Sequence, residues 1–448
     1  MRSGLKSVGL VTACLILLNS LLATLSYISG SFQGVVFVVI MSAVLFYVAV
    51  ARIYKGQIHT DIIVLFPSIY LIYTFSFPLL RHVFRVIDTD ILGVSYAATL
   101  SGTLLAGLVI NGYMVLVLMF YRGHKLNFCK LGTFKIEYSN AIFDAFALLF
   151  AAQYLANFFS TGGFALLGAG MSRLEAVRAF NAGADWLINY YFVCYSGYTI
   201  ISIMNRKGLI ANFKLANFCR GMSIVVYWVT YLLIGNRRAL LYLVLMLVFY
   251  VSTKTTIKPQ LKHKAVVIAI MLMLLLMGYY RTAFFAGEAV NFEALVEASL
   301  GDFFFPIQTL YHYIDHSPSF MLGATYLNVI PRLVPRFLWI NKPPSLAQQF
   351  AIDLGSEMGY AFTPATEGFI NFSYFMILFL PIILFAFFVF ITKISKHDTL
   401  LYLIVYVQLV NFNRGEFASS VLEILIMYFF VTSMHMVNSL GRMPQRRR

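Results

Sequence analysis

Residues 323–344 read GATYLNVIPRLVPRFLWINKPP and lie in the only long segment of the chain that is not dominated by membrane-type apolar runs. The stretch combines three cations, Arg332, Arg336 and Lys342, with four prolines. Because proline fixes φ and lacks a backbone N–H, we expect a stiff, extended or turning connection here and no helix. Cations held rigidly beside a membrane suit a multivalent anion, and the arginine fork matches phosphate oxygens. The alternative is a re-entrant loop whose arginines meet lipid headgroups.

The composition predicts a membrane protein. The 448 residues are 60% hydrophobic and 11% charged, with a mean hydropathy of +0.81, which excludes an ordinary water-soluble domain. The four cysteines, at positions 14, 129, 194 and 219, are too few and too scattered for a disulfide framework or a metal site. We therefore expect an all-α, polytopic, single membrane domain over residues 1–448, with no metal and no cofactor.

Hydropathy over a window of about 20 residues predicts twelve transmembrane helices. The first apolar run is too long for the core of a signal peptide, so we interpret it as a helix that stays in the membrane. The predicted spans are 8–28, 32–51, 62–80, 92–121, 139–159, 187–204, 216–234, 238–252, 264–280, 368–392, 399–413 and 417–437.

Residues 282–367 form a large loop between the ninth and tenth predicted spans. Its residues 291–300 have the pattern of an interfacial amphipathic helix, and 303–314 is an apolar segment that could dip into the membrane without spanning it. Ser345 and Gln348 have the spacing of a capping box, which predicts a short helix that ends near Gly355.

The charges orient these spans. The N-terminal tail and the segments after even-numbered spans hold 22 of the 33 lysines and arginines, so the positive-inside rule places both termini in the cytoplasm. The net charge of +15 is then an orientation signal, and binding of nucleic acid is not needed to explain it.

The outer side differs in the kind of cation that it carries. It has ten arginines and a single lysine, Lys342, whereas the cytoplasmic side has 13 lysines and nine arginines. The positive-inside rule counts both residues alike, so a second requirement must select arginine, and bidentate binding of phosphate or carboxylate is one. Salt bridges to the outer acidic residues explain some of these arginines.

Seven outer cations are candidates for binding a lipid-linked diphosphate. They lie at outer helix ends or in the large loop: Arg237, Arg238, Arg281, Arg332, Arg336, Lys342 and Arg414. Glu367 and Glu416 are carboxylates near the membrane surface that could deprotonate a sugar hydroxyl, or each could orient an arginine. His312 and His316 are alternative bases. The chain has no Gly-Lys-Ser/Thr phosphate loop, which argues against work driven by ATP.

Four stretches carry a resemblance to a known family: Gly-Asn-Arg-Arg at 235–238, the proline- and arginine-rich stretch 330–344, Glu-Gly-Phe-Ile-Asn-Phe at 367–372 and Asn-Arg-Gly-Glu-Phe at 413–417. In this order they resemble the O-antigen polymerase (Wzy) family of bacterial oligosaccharide repeat-unit polymerases. The resemblance covers mainly residues 235–420, together with chain length and the number of spans.

This resemblance implies an inverting, metal-independent glycosyltransferase of the GT-C type at the periplasmic face of the bacterial inner membrane. Such enzymes transfer a growing glycan from undecaprenyl diphosphate to the terminal sugar of a new lipid-linked repeat unit, and a chain-length regulator protein is an implied partner. The leaving group is a diphosphate, so the chemistry needs cations more than a nucleophile. We assign Glu367, Arg414 and Glu416 to catalysis and the other six cations to substrate binding.

Two other functions stay open at this stage. An O-antigen ligase uses the same lipid donor on the same face but a different acceptor, and the sequence hardly separates it from a polymerase. A repeat-unit flippase needs polar residues along a path through the membrane, whereas the predicted spans carry almost no charge.

The predicted topology can be tested with reporter fusions. Because of the positive-inside rule, we expect cytoplasmic readings at Lys130, Lys258 and Lys396, and periplasmic readings at Asp88, Arg178 and Leu346. A cytoplasmic reading at Leu346 would place the stretch 323–344 on the wrong side for a periplasmic enzyme.

Overall fold

The computed structural model describes residues 2–54, 61–87, 90, 92–121, 141–163, 186–205, 215–233, 238–253, 292–316, 320–334, 339, 343–355 and 360–440, and these residues form helices and turns with no strand. The chain divides into two compact units. The first comprises Met1–Lys125, Leu300–Ile394 and Leu409–Leu422; the second comprises Leu126–Ser299, Ser395–Gln408 and Glu423–Arg448.

Four long helices begin the first unit: α1 (Arg2–Ile28), α2 (Phe32–Tyr54), α3 (Ile62–Pro78) and α4 (Tyr96–Phe120). Helices α1, α2 and α4 pack against one another, and α3 packs against α4. Asp61 caps α3 by accepting a hydrogen bond from the N–H of Ile63 at 3.0 Å, and it also accepts one from the Tyr121 hydroxyl at 2.6 Å. Burial raises the pKa of the Asp61 carboxyl to about 6, against the effect of these donors.

Helix α9 (Phe292–His316) corrects one prediction for the large loop. The amphipathic segment 291–300 and the apolar segment 303–314 are not separate, because they form one helix of 25 residues. Tyr311 contacts the Thr103 hydroxyl of α4 at 3.1 Å, and Asp315 accepts hydrogen bonds from both the N–H and the hydroxyl of Ser95. The C-terminal part of α9 thus packs against α4, and this packing explains its apolar residues.

Residues 323–344 also differ from their prediction. Their first half forms two short helices, α10 (Ala324–Leu327) and α11 (Val329–Leu333), where we expected none. Pro331 is compatible with α11 because it occupies the first turn, where backbone N–H groups have no acceptor within the helix. Residues 335–338 and 340–342 lie outside the described residues.

The rest of the large loop follows the prediction more closely. Helix α12 (Leu346–Asp353) begins with the predicted capping box, in which the Ser345 hydroxyl accepts from the N–H of Gln348 and the Gln348 side chain accepts from the N–H of Ser345. Leu346 and Phe350 of α12 pack with Phe362 and Ile370 in a small apolar core.

The predicted span 368–392 falls within the candidate membrane segment Pro364–Ser395, but the helix of that segment is interrupted. The structure has a short helix α13 (Pro364–Phe372), a single 3₁₀ turn, and then α14 (Met376–Ser395). Ser373 causes the break, because its φ of 51° is incompatible with a continuing right-handed helix. The last two helices of the chain are α15 (Thr399–Phe412) and α16 (Phe417–Leu440).

The second unit contains α5 (Ala141–Ser160), α6 (Trp186–Asn205), α7 (Leu215–Leu233) and α8 (Arg238–Thr253). Arg220 of α7 forms a salt bridge of 2.8 Å with Asp144 of α5, and the Tyr195 hydroxyl of α6 donates to the same carboxylate. This buried ion pair joins three helices.

Seven helical segments among the described residues are long and apolar enough to cross a membrane: Ser7–Ile28, Phe32–Ile53, Ile62–Val83, Tyr96–Phe120, Ile142–Ser160, Pro364–Ser395 and Phe417–Met436. The prediction of an all-α, polytopic membrane protein is supported to that extent. The total of twelve spans stays a prediction, and the span 264–280 lies outside the described residues.

Candidate functional site

Six polar side chains of the first unit form two hydrogen-bonded triads that are linked where Glu367 accepts from the backbone N–H of Phe417, the residue after Glu416, and we call the six together the polar cluster. They come from α10, α11, α13 and the start of α16: Thr325, Arg332, Glu367, Asn371, Glu416 and Ser419.

Glu367 lies at the centre of the polar cluster and is only 2% exposed. It occupies the first turn of α13, which Thr363 caps by accepting from the N–H of Thr366. One carboxylate oxygen accepts from the Thr325 hydroxyl at 2.7 Å, and the other accepts from the N–H of Phe417 at 2.6 Å. Phe417 is the first residue of α16, so the carboxylate satisfies a free N–H where the helix dipole also favours negative charge.

Asn371 follows Glu367 by one turn of α13 and holds Thr325 in place. Its amide nitrogen donates to the Thr325 hydroxyl oxygen at 2.6 Å and to the carbonyl oxygen of Glu367 at 2.8 Å. Its amide oxygen accepts from the N–H of Thr325 at 3.4 Å. Thr325 is therefore connected to α13 through both its backbone and its side chain.

Glu416 immediately precedes α16 and forms a salt bridge with Arg332. The Arg332 Nη2 lies 2.6 Å from Glu416 Oε1, and their side chains are 17% and 6% exposed. Ser419 accepts from Arg332 at 2.7 Å and donates to Glu416 at 3.0 Å. The second oxygen of Glu416 accepts from the N–H of Leu346, the first residue of α12. This geometry matches the interpretation in which a carboxylate orients an arginine.

Tyr326 places an aromatic phenol next to the polar cluster. Its ring packs against Phe372 and Phe417, with centroid distances of 6.0 Å and 5.2 Å. Its hydroxyl oxygen is buried without a hydrogen-bond partner among the described residues. Burial, and then the negative charge of Glu367, raise the pKa of the Tyr326 phenol well above its ordinary value, so the phenol stays protonated at neutral pH.

The two alternative bases, His312 and His316, stack on each other at the end of α9 with a centroid distance of 4.0 Å. His312 also contacts the ring of Phe350 in α12. Burial and the nearby His316 lower the pKa of His312, and Asp315 opposes this effect. The imidazole of His312 is therefore neutral at pH 7, the form that a base requires.

The structure brings together three of the predicted site residues: Arg332, Glu367 and Glu416. Arg414 lies in the turn between α15 and α16, two residues before Glu416, and its N–H donates to the carbonyl oxygen of Asn411 at 3.1 Å. Arg238 is the first residue of α8 in the second unit. The other predicted cations lie outside the described residues: Arg237, Arg281, Arg336 and Lys342.

Sequence reasoning missed three members of the polar cluster: Thr325, Asn371 and Ser419. Thr325 and Asn371 both lie inside stretches that were singled out, but only the charged residues of those stretches were considered. The spacing of Glu367 and Asn371 was a usable signal, because residues four apart lie on the same helix face. No local signal indicated Ser419.

The chain matches no protein-family model, and no curated protein or solved structure is significantly similar to it. Within the described part of the chain, no group of three or more histidines, cysteines and carboxylates could hold a metal ion.

A double-mutant cycle tests the coupling of Arg332 to Glu416. Arg332→Met and Glu416→Gln should each reduce the free energy of unfolding by about 3–5 kcal/mol, because each leaves one buried charge without its partner. The double variant removes both charges, so we expect it to be more stable than the sum of the single effects predicts, by about 1 kcal/mol or more. The measurement is equilibrium unfolding of the purified protein in mixed detergent micelles.

The matched control is Asp353→Asn, which changes an exposed carboxylate of α12 that accepts from Gln349. This variant should stay within about 0.5 kcal/mol of the wild type. Strictly additive effects of the Arg332 and Glu416 substitutions would show that the pair carries no coupling.

Proposed function

We propose that the chain is a lipid-dependent glycosyltransferase that polymerises undecaprenyl-diphosphate-linked oligosaccharide repeat units of O-antigen or a related surface polysaccharide. Its site would face the periplasm from the bacterial inner membrane. The observation that supports this proposal is the convergence of three of the four stretches that resemble O-antigen polymerases. Stretches 330–344, 367–372 and 413–417 contribute Arg332, Glu367 with Asn371, and Glu416 to the polar cluster.

These residues are far apart along the chain, so their convergence is a property of the fold and not of neighbouring positions in the sequence. Thr325 and Glu367 are 42 positions apart, Glu367 and Phe417 are 50 apart, and Arg332 and Ser419 are 87 apart, yet each pair forms a direct hydrogen bond. Burying two carboxylates and a guanidinium in a chain this apolar costs several kcal/mol per ion before pairing. Ionisable groups in such surroundings indicate a functional site by default.

The chemistry of the proposed reaction fits an arginine site. Negative charge develops on the diphosphate as the glycosidic bond breaks, and fixed cations in a low-dielectric site stabilise that charge. Arg332 already donates to Glu416 and Ser419, so in this proposal it holds the site together and does not bind diphosphate. Diphosphate binding falls to Arg414 and to the other outer cations.

The two glutamates are positioning residues in this proposal. Glu367 accepts a hydrogen bond from the N–H of Phe417, the first residue of α16, and Glu416 accepts one from the N–H of Leu346, the first residue of α12. Glu416 and Phe417 directly follow the turn residues that include Arg414. The turn between α15 and α16 is thereby fixed relative to α12 and α13. A fixed backbone lets the arginine present its donors without reorganisation during the reaction.

Arg414→Lys tests the proposed contact with diphosphate. Lysine keeps the charge but loses the planar fork, so substrate binding should weaken by up to about 1.5–3 kcal/mol, which is roughly 10- to 150-fold. The expected result is a shift of the glycan ladder toward short chains at unchanged protein level.

The control for this variant is Arg81→Lys, because Arg81 is already paired with a carboxylate, in a 2.9 Å salt bridge with Asp90. Arg81→Lys should leave the ladder unchanged. A wild-type chain-length distribution in Arg414→Lys would remove Arg414 from the diphosphate site.

A deletion strain tests the function itself. Without a polymerase, single repeat units are still made, flipped and attached, so surface lipopolysaccharide should show the core plus one unit and no ladder. The measurement is a gel of lipopolysaccharide from the deletion strain, with the wild-type gene returned on a plasmid as the control.

The other outcomes of the deletion separate the alternatives. Core alone would contradict the polymerase and favour the O-antigen ligase or the repeat-unit flippase. An unchanged ladder would contradict all three functions.

A further inference from the structure

Residues 320–334 have two sides of opposite character. Thr325, Tyr326 and Arg332 face inward, where they contact Glu367, the rings of Phe372 and Phe417, and Glu416. The outward side carries aliphatic and aromatic side chains, and Leu322, Leu327 and Ile330 are 86%, 68% and 67% exposed. Every strongly exposed residue between positions 320 and 334 is apolar. We call the six large ones the interfacial surface: Phe320, Met321, Leu322, Leu327, Ile330 and Leu333.

Residues 320–334 lie beside the end of α13 and the start of α14, whose exposed side would face lipid. Phe372 is the link, because its ring stacks on Tyr326 and lies 5.2 Å from the ring of Phe379. Phe379 belongs to the candidate span Pro364–Ser395, where Phe375 and Leu378 are also strongly exposed. The backbone is joined here too, since the N–H of Met321 donates to the carbonyl oxygen of Ile370 at 3.1 Å.

We infer that residues 320–334 lie in the plane of the bilayer interface and that lipid acyl chains cover the interfacial surface. Arg332 is the only charged residue of this segment, and it pairs inward with Glu416. An aqueous loop would carry polar side chains on its outward face, whereas a segment in the interface places apolar side chains among the acyl chains. Trp339, which is 39% exposed, fits the same position because tryptophan is enriched at membrane interfaces.

This contact fixes the depth of the polar cluster in the membrane. Thr325 and Arg332 belong to the same short helices as Leu327 and Ile330, so anchoring the outward side also places the inward side at the level of the lipid headgroups. The inference does not depend on the proposed glycosyltransferase activity.

Photo-crosslinking from single positions tests which molecule covers the interfacial surface. The photoreactive residue p-benzoylphenylalanine replaces Leu327 or Ile330 in the full chain, in phospholipid nanodiscs and in native membranes, and Leu333 serves as a third position if either variant is not produced. Phe379 of α14 is the positive control, and the exposed Gln349 of α12 is the polar control. The readout is the intact mass of the protein after irradiation.

We expect phospholipid adducts at Leu327 and Ile330, because contact with acyl chains brings lipid within reach of the photoreactive ketone. The adduct yields should lie within about twofold of the yield at Phe379 and about fivefold above the yield at Gln349. A lipid yield at both positions no higher than at Gln349 would overturn the inference. Adducts with the mass of a second copy, or of another membrane protein, in place of lipid would overturn it as well and would identify the actual occupant.

Discussion

The hydrogen bond from the N–H of Phe417 to Glu367 is the contact on which the site depends. A buried carboxylate is destabilising by several kcal/mol unless donors surround it, and the N-terminus of a helix is destabilising in apolar surroundings unless acceptors reach its free N–H groups. Here each group satisfies the other at 2.6 Å, with the helix dipole of α16 adding to the attraction. Thr325 supplies the second donor, so both oxygens of Glu367 are occupied.

Glu416 repeats this arrangement one residue before α16. It accepts the N–H of Leu346 at the start of α12 and pairs with Arg332 of α11. Two carboxylates therefore connect α10, α11, α12 and α13, which follow one another in the chain, to the start of α16, which lies 50 or more positions from its partners. Removing either carboxylate would leave a helix N-terminus and its other donors unsatisfied together, so the parts of the site are expected to form cooperatively.

The sequence predicted what depends on local pattern and missed what depends on tertiary pairing. The long apolar helices and the capping box of Ser345 and Gln348 follow from hydropathy and from neighbouring residues, and both agree with the structure. Which carboxylate meets which N–H could not be predicted, because the N–H partners of Glu367 and Glu416, Phe417 and Leu346, lie 50 and 70 positions away along the chain. The interruption of the helix at Ser373 was not predicted, because it arises from the positive φ of Ser373 and the sequence has no glycine or proline there to indicate it.

Carboxylate pairing accounts for part of the predicted excess of outer arginines. Arg81 and Arg332 form salt bridges with Asp90 and Glu416, so carboxylate pairing, the simpler explanation of the arginine excess, holds for these two. The polar cluster contains two carboxylates and one guanidinium, and a site with that balance repels a diphosphate unless further cations face it. In the proposed function a diphosphate site would therefore need Arg414 together with cations beyond the polar cluster. The buried carboxylates would then serve to position the turn that carries Arg414, and Arg414 would carry the charge that the proposed chemistry requires.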